Sequence, residues 1–140
     1  MTDRNAVLRI IDAAYAARIR GDNAALAALC APEARFELAG EKGLLTGFAA
    51  GPAAFGEAVT QLIDLVEFRS VARVSAVVEG LSAAVQWRAV LAVAGRPPVE
   101  TYLFDRWDVT EDSQISSLVQ FADTALIAQE LALAHETVAA

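Results

Sequence analysis

Cysteine, histidine and lysine are almost missing from this chain of 140 residues, and each scarcity closes a class of function. A single cysteine, Cys30, excludes an internal disulfide and a cysteine-built metal site. With no histidine near it in sequence, Cys30 reads as a small buried hydrophobe rather than a nucleophile. The lone histidine, His135, lies close to the C-terminus and supplies neither a histidine-based triad nor a zinc site. No metal and no organic cofactor are expected. Lys42 is the only lysine, the arginines are scattered, and the net charge is −7. No basic stripe exists to neutralise phosphates, so neither nucleic acid nor an anionic membrane is an expected partner. No apolar run approaches the roughly 20 residues of a membrane span. Met1-Thr2-Asp3-Arg4 leads into an amphipathic pattern without the apolar block of a signal peptide, so a cytoplasmic location is expected.

What is present is apolar. Hydrophobic residues make up 56% of the chain, enough for one folded domain over residues 1–140 and against disorder. Asn5–Arg20 reads as a helix, with Leu8, Ile11 and Tyr15 on one stripe and Arg18 and Arg20 placed to suit the dipole of the last turn. Gly21 closes it, and Asp22 or Asn23 caps a short second helix to about Cys30, ended by Pro32. Arg35–Ala39 alternates as a short strand. Gly40, Gly43, Gly47 and Gly51 punctuate a loop without phosphate-loop spacing. A third helix follows from Pro52, carrying the stripe Phe55, Val59, Leu62, Ile63 and Val66.

From Phe68 the period changes to two. Phe68–Glu79, Ser82–Ala94, Glu100–Val109 and a segment after Gln114 are separated by short links, which predicts an antiparallel meander. A final helix starts at Asp123 or Thr124 and bears Leu126, Ile127, Leu131 and Leu133. Alternation in the third strand of this group places Tyr102, Phe104, Arg106 and Asp108 on one face, and Leu103, Asp105, Trp107 and Val109 on the other. The two charges at one end turn the first face to water, so Asp105 looks inward among large apolar side chains. A carboxylate there must find partners or take up a proton. In the preceding strand Val85, Trp87, Ala89 and Leu91 should point inward, and Val90 and Ala92 outward.

The order of elements, with Gly21-Asp22-Asn23, Leu29-Cys30-Ala31-Pro32-Glu33-Ala34, Phe104-Asp105-Arg106-Trp107-Asp108-Val109 and Phe121-Ala122-Asp123-Thr124, resembles the nuclear transport factor 2-like superfamily in its SnoaL-like and ketosteroid isomerase-like branch. The resemblance spans nearly the whole chain. It implies an α+β fold, a cone-shaped curved antiparallel sheet wrapped on N-terminal helices, with a pocket inside. It places Asp105 where ketosteroid isomerases hold the acid that faces a developing oxyanion, Leu38 where their general-base aspartate stands, and Ala14, beside Tyr15, where their helix-1 tyrosine stands. Phe121-Ala122-Asp123 resembles the segment ending in a catalytic aspartate of limonene-epoxide hydrolases; their Arg-x-Asp pair falls on Leu103-Phe104-Asp105 without the arginine.

These readings lead to a small-molecule pocket protein performing cofactor-independent acid–base chemistry on a small, largely apolar, oxygenated ligand through Asp105. The alternative is a non-catalytic ligand-binding or dimerisation module. Asp105 fits either a proton-transferring group or a satisfied buried carboxylate. Asp123 fits a second catalytic carboxylate or the cap of the last helix. Tyr15, Trp87, Trp107 and Gln120 are candidate ligand contacts; the two indoles serve equally well as core fillers. The apolar outer face (Tyr102, Phe104, Val90, Ala92) implies a homodimer.

Overall fold

A computed structural model of the chain describes residues 3–39, 66–93 and 95–139. The expected third helix, the glycine-punctuated loop before it and Lys42 lie outside the described residues, as does the side chain of His135. Helix α1 spans Arg4–Arg20 and buries Val7, Leu8, Ile11, Ala14, Tyr15 and Arg18 along one face. The Asp3 carboxylate caps it by accepting the Ala6 N–H at 2.6 Å. Gly21 ends it in the left-handed region (φ 69°), where a side chain would be strained. Helix α2 is Asn23–Ala28, capped by Asp22.

Strand β1 (Cys30–Leu38) begins where the second helix was expected to continue. The reason is tertiary: the Leu29 carbonyl accepts the Ile115 N–H at 2.8 Å, and Cys30 pairs with Ile115, which pulls the chain into the sheet. Pro32 is tolerated because β1 is an edge strand with an irregular register between Cys30 and Arg35. Strands β2 (Val66–Glu79), β3 (Ser82–Val93), β4 (Val99–Val109) and β5 (Ile115–Ala122) form the antiparallel meander. Val66, expected to close a helix, instead opens β2.

The strand order is β1-β5-β4-β3-β2, and β1 runs parallel to β5, so the sheet is mixed rather than purely antiparallel. Two bulges in the β2–β3 ladder, at Phe68/Ser70 and Arg73/Ser75, bend these long strands. The result is the curved, unclosed sheet of an α+β cone. α1 lies in its concavity, where Tyr15 packs on Phe68 and Trp87.

Helix α3 (Thr124–Ala139) packs against β3. Its buried stripe is Ile127, Glu130 and Ala134, rather than the leucines singled out from the sequence. Glu130 is buried because Arg96, in the β3–β4 turn, donates to it at 2.8 Å. On the outer sheet face the expected patch changes composition. Ala92 is buried and Val90 half-buried at the end of β3 near α3. Tyr102 and Phe104 remain exposed and are joined by Phe121, which pairs directly with Phe104 across β4 and β5.

Candidate functional site

Register assembles the site. Strand period two puts Asp105 and Trp107 on the inner face of β4, Gln120 stands directly opposite Asp105 on β5, and Trp87 on β3 is the diagonal neighbour through the Val85–Asp105 pair. Tyr15 reaches the same point from α1. Its hydroxyl donates to Oδ2 of Asp105, as do the indole N–H groups of Trp87 (3.0 Å) and Trp107 (3.3 Å). The Gln120 amide nitrogen donates to Oδ1 at 3.2 Å and to the Tyr15 oxygen at 3.0 Å. Nitrogen must face this way, because two acceptors sit there.

Asp105 is therefore fully buried yet accepts four hydrogen bonds, all from uncharged groups. Burial pushes its carboxyl up to about 6, with the bonds from Tyr15, Gln120, Trp107 and Trp87 pulling the other way. Burial also raises the Tyr15 phenol well above its usual value, helped by the Asp105 charge, so the proton between them stays on the phenol at neutral pH. Trp and Gln N–H groups can only donate. Oδ2 is thus organised for an ionised carboxylate, and Oδ1, with one donor, is the better place for an added proton.

Two openings flank this cluster. A narrow apolar pocket is lined by Arg18, Phe68, Leu91, Leu103, Gln120 and Ile127, among others. A shallow cleft on the other side is bordered by Asp12, Tyr15, Ile19, Arg73 and Trp87. Asp105 lines neither; ligands in them would meet it through Gln120, Tyr15 or Trp87. Leu38 pairs with Gln120 and is an apolar part of the narrow pocket's wall.

Of the residues singled out from the sequence, five meet at one point: Tyr15, Trp87, Asp105, Trp107 and Gln120. Asp123 does not join them. It is exposed, and its carboxylate accepts the Leu126 N–H at 3.0 Å at the start of α3. Sequence reasoning overlooked Arg18. Read as an end-of-helix cation, it is only 9% exposed, donates to the Val66 carbonyl at 2.9 Å and lies 4.1 Å over the Phe68 ring. The signal was available, since Arg18 follows Ile11 and Tyr15 at i+7 and i+3 on the buried stripe. Among the described residues no group of three or more acidic, histidine or cysteine side chains could hold a metal.

A mixed, curved sheet around an N-terminal helix, with polar groups gathered at its concave centre, is the nuclear transport factor 2-like cone. Residues 11–118 match the SnoaL-like domain, and the chain belongs to the SnoaL-like family. No curated protein matches it. Solved structures share the fold at low identity. A nuclear transport factor 2-like protein of Burkholderia xenovorans is 21% identical, with a TM-score of 0.74 over 94% of this chain and 99% of that one. An LEH-like epoxide hydrolase of Mycobacterium tuberculosis is 14% identical, with a TM-score of 0.69 and 96% of each chain covered. SalBIII, an epoxide hydrolase/cyclase-like enzyme of pyran ring formation in salinomycin, is 19% identical, with a TM-score of 0.70 over 89% of this chain and 96% of that one. No helix among the described residues is long and apolar enough to cross a membrane.

Proposed function

We propose that this protein takes a small, largely apolar, oxygenated molecule into its cone and carries out acid–base chemistry on it without a cofactor, with Asp105 holding the proton. The observation that carries this reading is a fully buried carboxyl brought to about 6, within reach of physiological pH, and hydrogen-bonded to a phenol and an amide at the edges of two openings. A group near that value changes protonation at little cost, which is what a general acid or base requires. Tyr15 is the relay, because its hydroxyl contacts Asp105 and its ring borders the cleft. Isomerisation, ring closure, dehydration and epoxide opening all need such a group. Support for the last kinds of chemistry comes from the neighbours on this fold that open epoxides or take part in pyran formation.

A second reading rests on a specific observation. Oδ2 already has three donors and the base position is Leu38, which suits a ligand-binding module whose buried Asp only organises the walls. Asp105→Asn separates the two. Rotation of the Gln120 amide lets the asparagine keep its partners, so the variant folds. Turnover found in a screen of epoxides, enolisable ketones and β-hydroxy carbonyl compounds should then fall by about 100-fold or more. Undiminished turnover in Asp105→Asn refutes the proton-holding role. In either reading the protein works in the cytoplasm as a homodimer joined through Tyr102, Phe104 and Phe121, three large rings left exposed together on the outer sheet face.

A further inference from the structure

The hydrogens around Asp105 can be counted, and the count closes. Tyr15, Trp87, Trp107 and Gln120 bring five: one phenolic, one from each indole and two from the amide nitrogen. Three end on Oδ2, one on Oδ1 and one on the Tyr15 oxygen, so every one is used while Asp105 is ionised. A proton added to Asp105 is one hydrogen more, in a place that water does not reach. A buried O–H without an acceptor is costly.

Oδ2 already takes three hydrogens, which leaves Oδ1 for the proton. There it meets another donor, the Gln120 nitrogen at 3.2 Å. The indoles accept nothing. Within the cluster, the acceptor still turned away is the carbonyl oxygen at the other end of the same Gln120 amide. Half a turn about the last side-chain bond exchanges these two ends and leaves the shape of the side chain unchanged. The oxygen then accepts from Oδ1. In the nitrogen's place it also faces the Tyr15 oxygen across 3.0 Å, and two oxygens that close need a hydrogen between them. The phenol hydrogen therefore swings from Asp105 to Gln120, and Oδ2 keeps the two indoles.

Asp105 is the group that changes charge near neutrality. From α1, Tyr15 keeps its proton, and Arg18, lowered by burial to about 10, keeps its charge. Strands β3 and β5 face the carboxyl with Trp87 and Gln120, which do not titrate. Strand β2 sets Phe68 against Tyr15, and its Arg73 is paired with Asp12 at the cleft. Arg106 and Asp108 of β4 lie on the outer face.

We propose that Gln120 is the positioning residue for proton transfer at this site: its amide turns over when Asp105 takes up a proton, and in turning it uncouples Tyr15 from Asp105. This deepens the function proposed above and rests on Asp105 changing its protonation there. While Asp105 is ionised, the phenol hydrogen joins it to the cleft. Once it is protonated, its hydrogen bond runs to Gln120 and Tyr15 is disconnected. The relay is open in one protonation state and closed in the other.

The test is an NMR titration of the full chain from about pH 8 to about pH 4, across the ordinary carboxyl range and above it. The Asp105 ¹³Cγ shift reports the proton, and NOEs from the Gln120 Nε2 hydrogens report which way the amide faces. The expected result is NOEs to the Tyr15 ring at high pH. At low pH they should give way to NOEs to methyls of Leu38, Leu91 or Leu103, which line the narrow opening with Gln120. Both changes should share one midpoint. Asp105→Asn can place a permanent donor beside Gln120, so this variant should hold the amide turned at every pH. A glutamine that only fills space would not move with pH. Asp105 titrating while the Gln120 NOEs stay with Tyr15 overturns the inference, as does an Asp105 that takes up no proton by pH 4. A folded Asp105→Asn whose Gln120 still faces Tyr15 does the same; if that variant does not fold, the unsubstituted protein decides alone. Turning and turnover are read separately. An amide that turns in a protein that converts nothing leaves this inference standing and removes the catalytic one; Asp105-dependent turnover with a fixed Gln120 does the reverse.

Discussion

The two faces of β4 invert the usual rule of inside and outside. Inward, Leu103 and Trp107 flank a carboxylate that no water touches; outward, Tyr102 and Phe104 stand 52% and 47% exposed beside Phe121. The inner inversion is stable because four donors converge on Asp105 and replace the water it lost. The outer one has no such internal remedy, since exposed rings gain only by being covered. A single strand thus carries two anomalies with opposite cures: one is solved inside the chain, the other is what the proposed homodimer would cover.

The largest expected effect tests the inner face. An Asp raised from its ordinary value of 3.8 to about 6 opposes folding once the unfolded chain ionises. Its full contribution is present below about pH 4 and is lost as pH rises to about 6, a difference that corresponds to roughly 3 kcal/mol. Above that, both states are ionised and the penalty is constant. Urea unfolding of the protein and of Asp105→Asn should therefore diverge between about pH 4 and pH 6, with the variant gaining on the original as pH rises. Parallel pH profiles would mean that Asp105 has an ordinary pKa, and the contrast between the faces would lose its inner half.

Next comes the outer face. Phe104→Glu should weaken self-association by about 100-fold, near 2.8 kcal/mol, the scale of burying one phenylalanine side chain. Sedimentation over a concentration series reads it directly. A monomer at all concentrations before substitution, or an intact dimer after it, would show that these rings are covered by something else or by nothing.

The smallest effect concerns Asp123. Serine also accepts a helix N–H, so Asp123→Ser should change stability by only a few tenths of a kcal/mol and leave any turnover unchanged. Loss of activity with stability kept would restore it as an acid or base and enlarge the site beyond the Asp105 cluster.

Much of this was legible because it depends on local period. Alternation alone turned Asp105, Trp107, Trp87 and Leu103 inward, and the short links dictated the meander. Other features depended on partners distant in sequence. The end of α2 is fixed by Ile115, far along the chain, and the parallel pairing of β1 with β5 has no connecting turn to announce it. Gln120 was ambiguous because β5 alternates weakly; its place opposite Asp105 becomes plain only once the β4–β5 register is known. Arg18 was missed for a different reason. A cation in the last turn of a helix already had a sufficient explanation, and charge near a terminus conceals burial on the stripe.

The chain contains two tryptophans, and both indole N–H groups end on the same oxygen of Asp105. Excited indole shifts electron density away from its pyrrole ring and makes that N–H a stronger donor, so the energy of its emission depends on the charge the N–H points at. All the tryptophan fluorescence of this protein therefore originates at the one carboxyl whose proton matters most. The molecule carries a built-in optical gauge of that proton, wired to its centre by the same bonds that hold the site together.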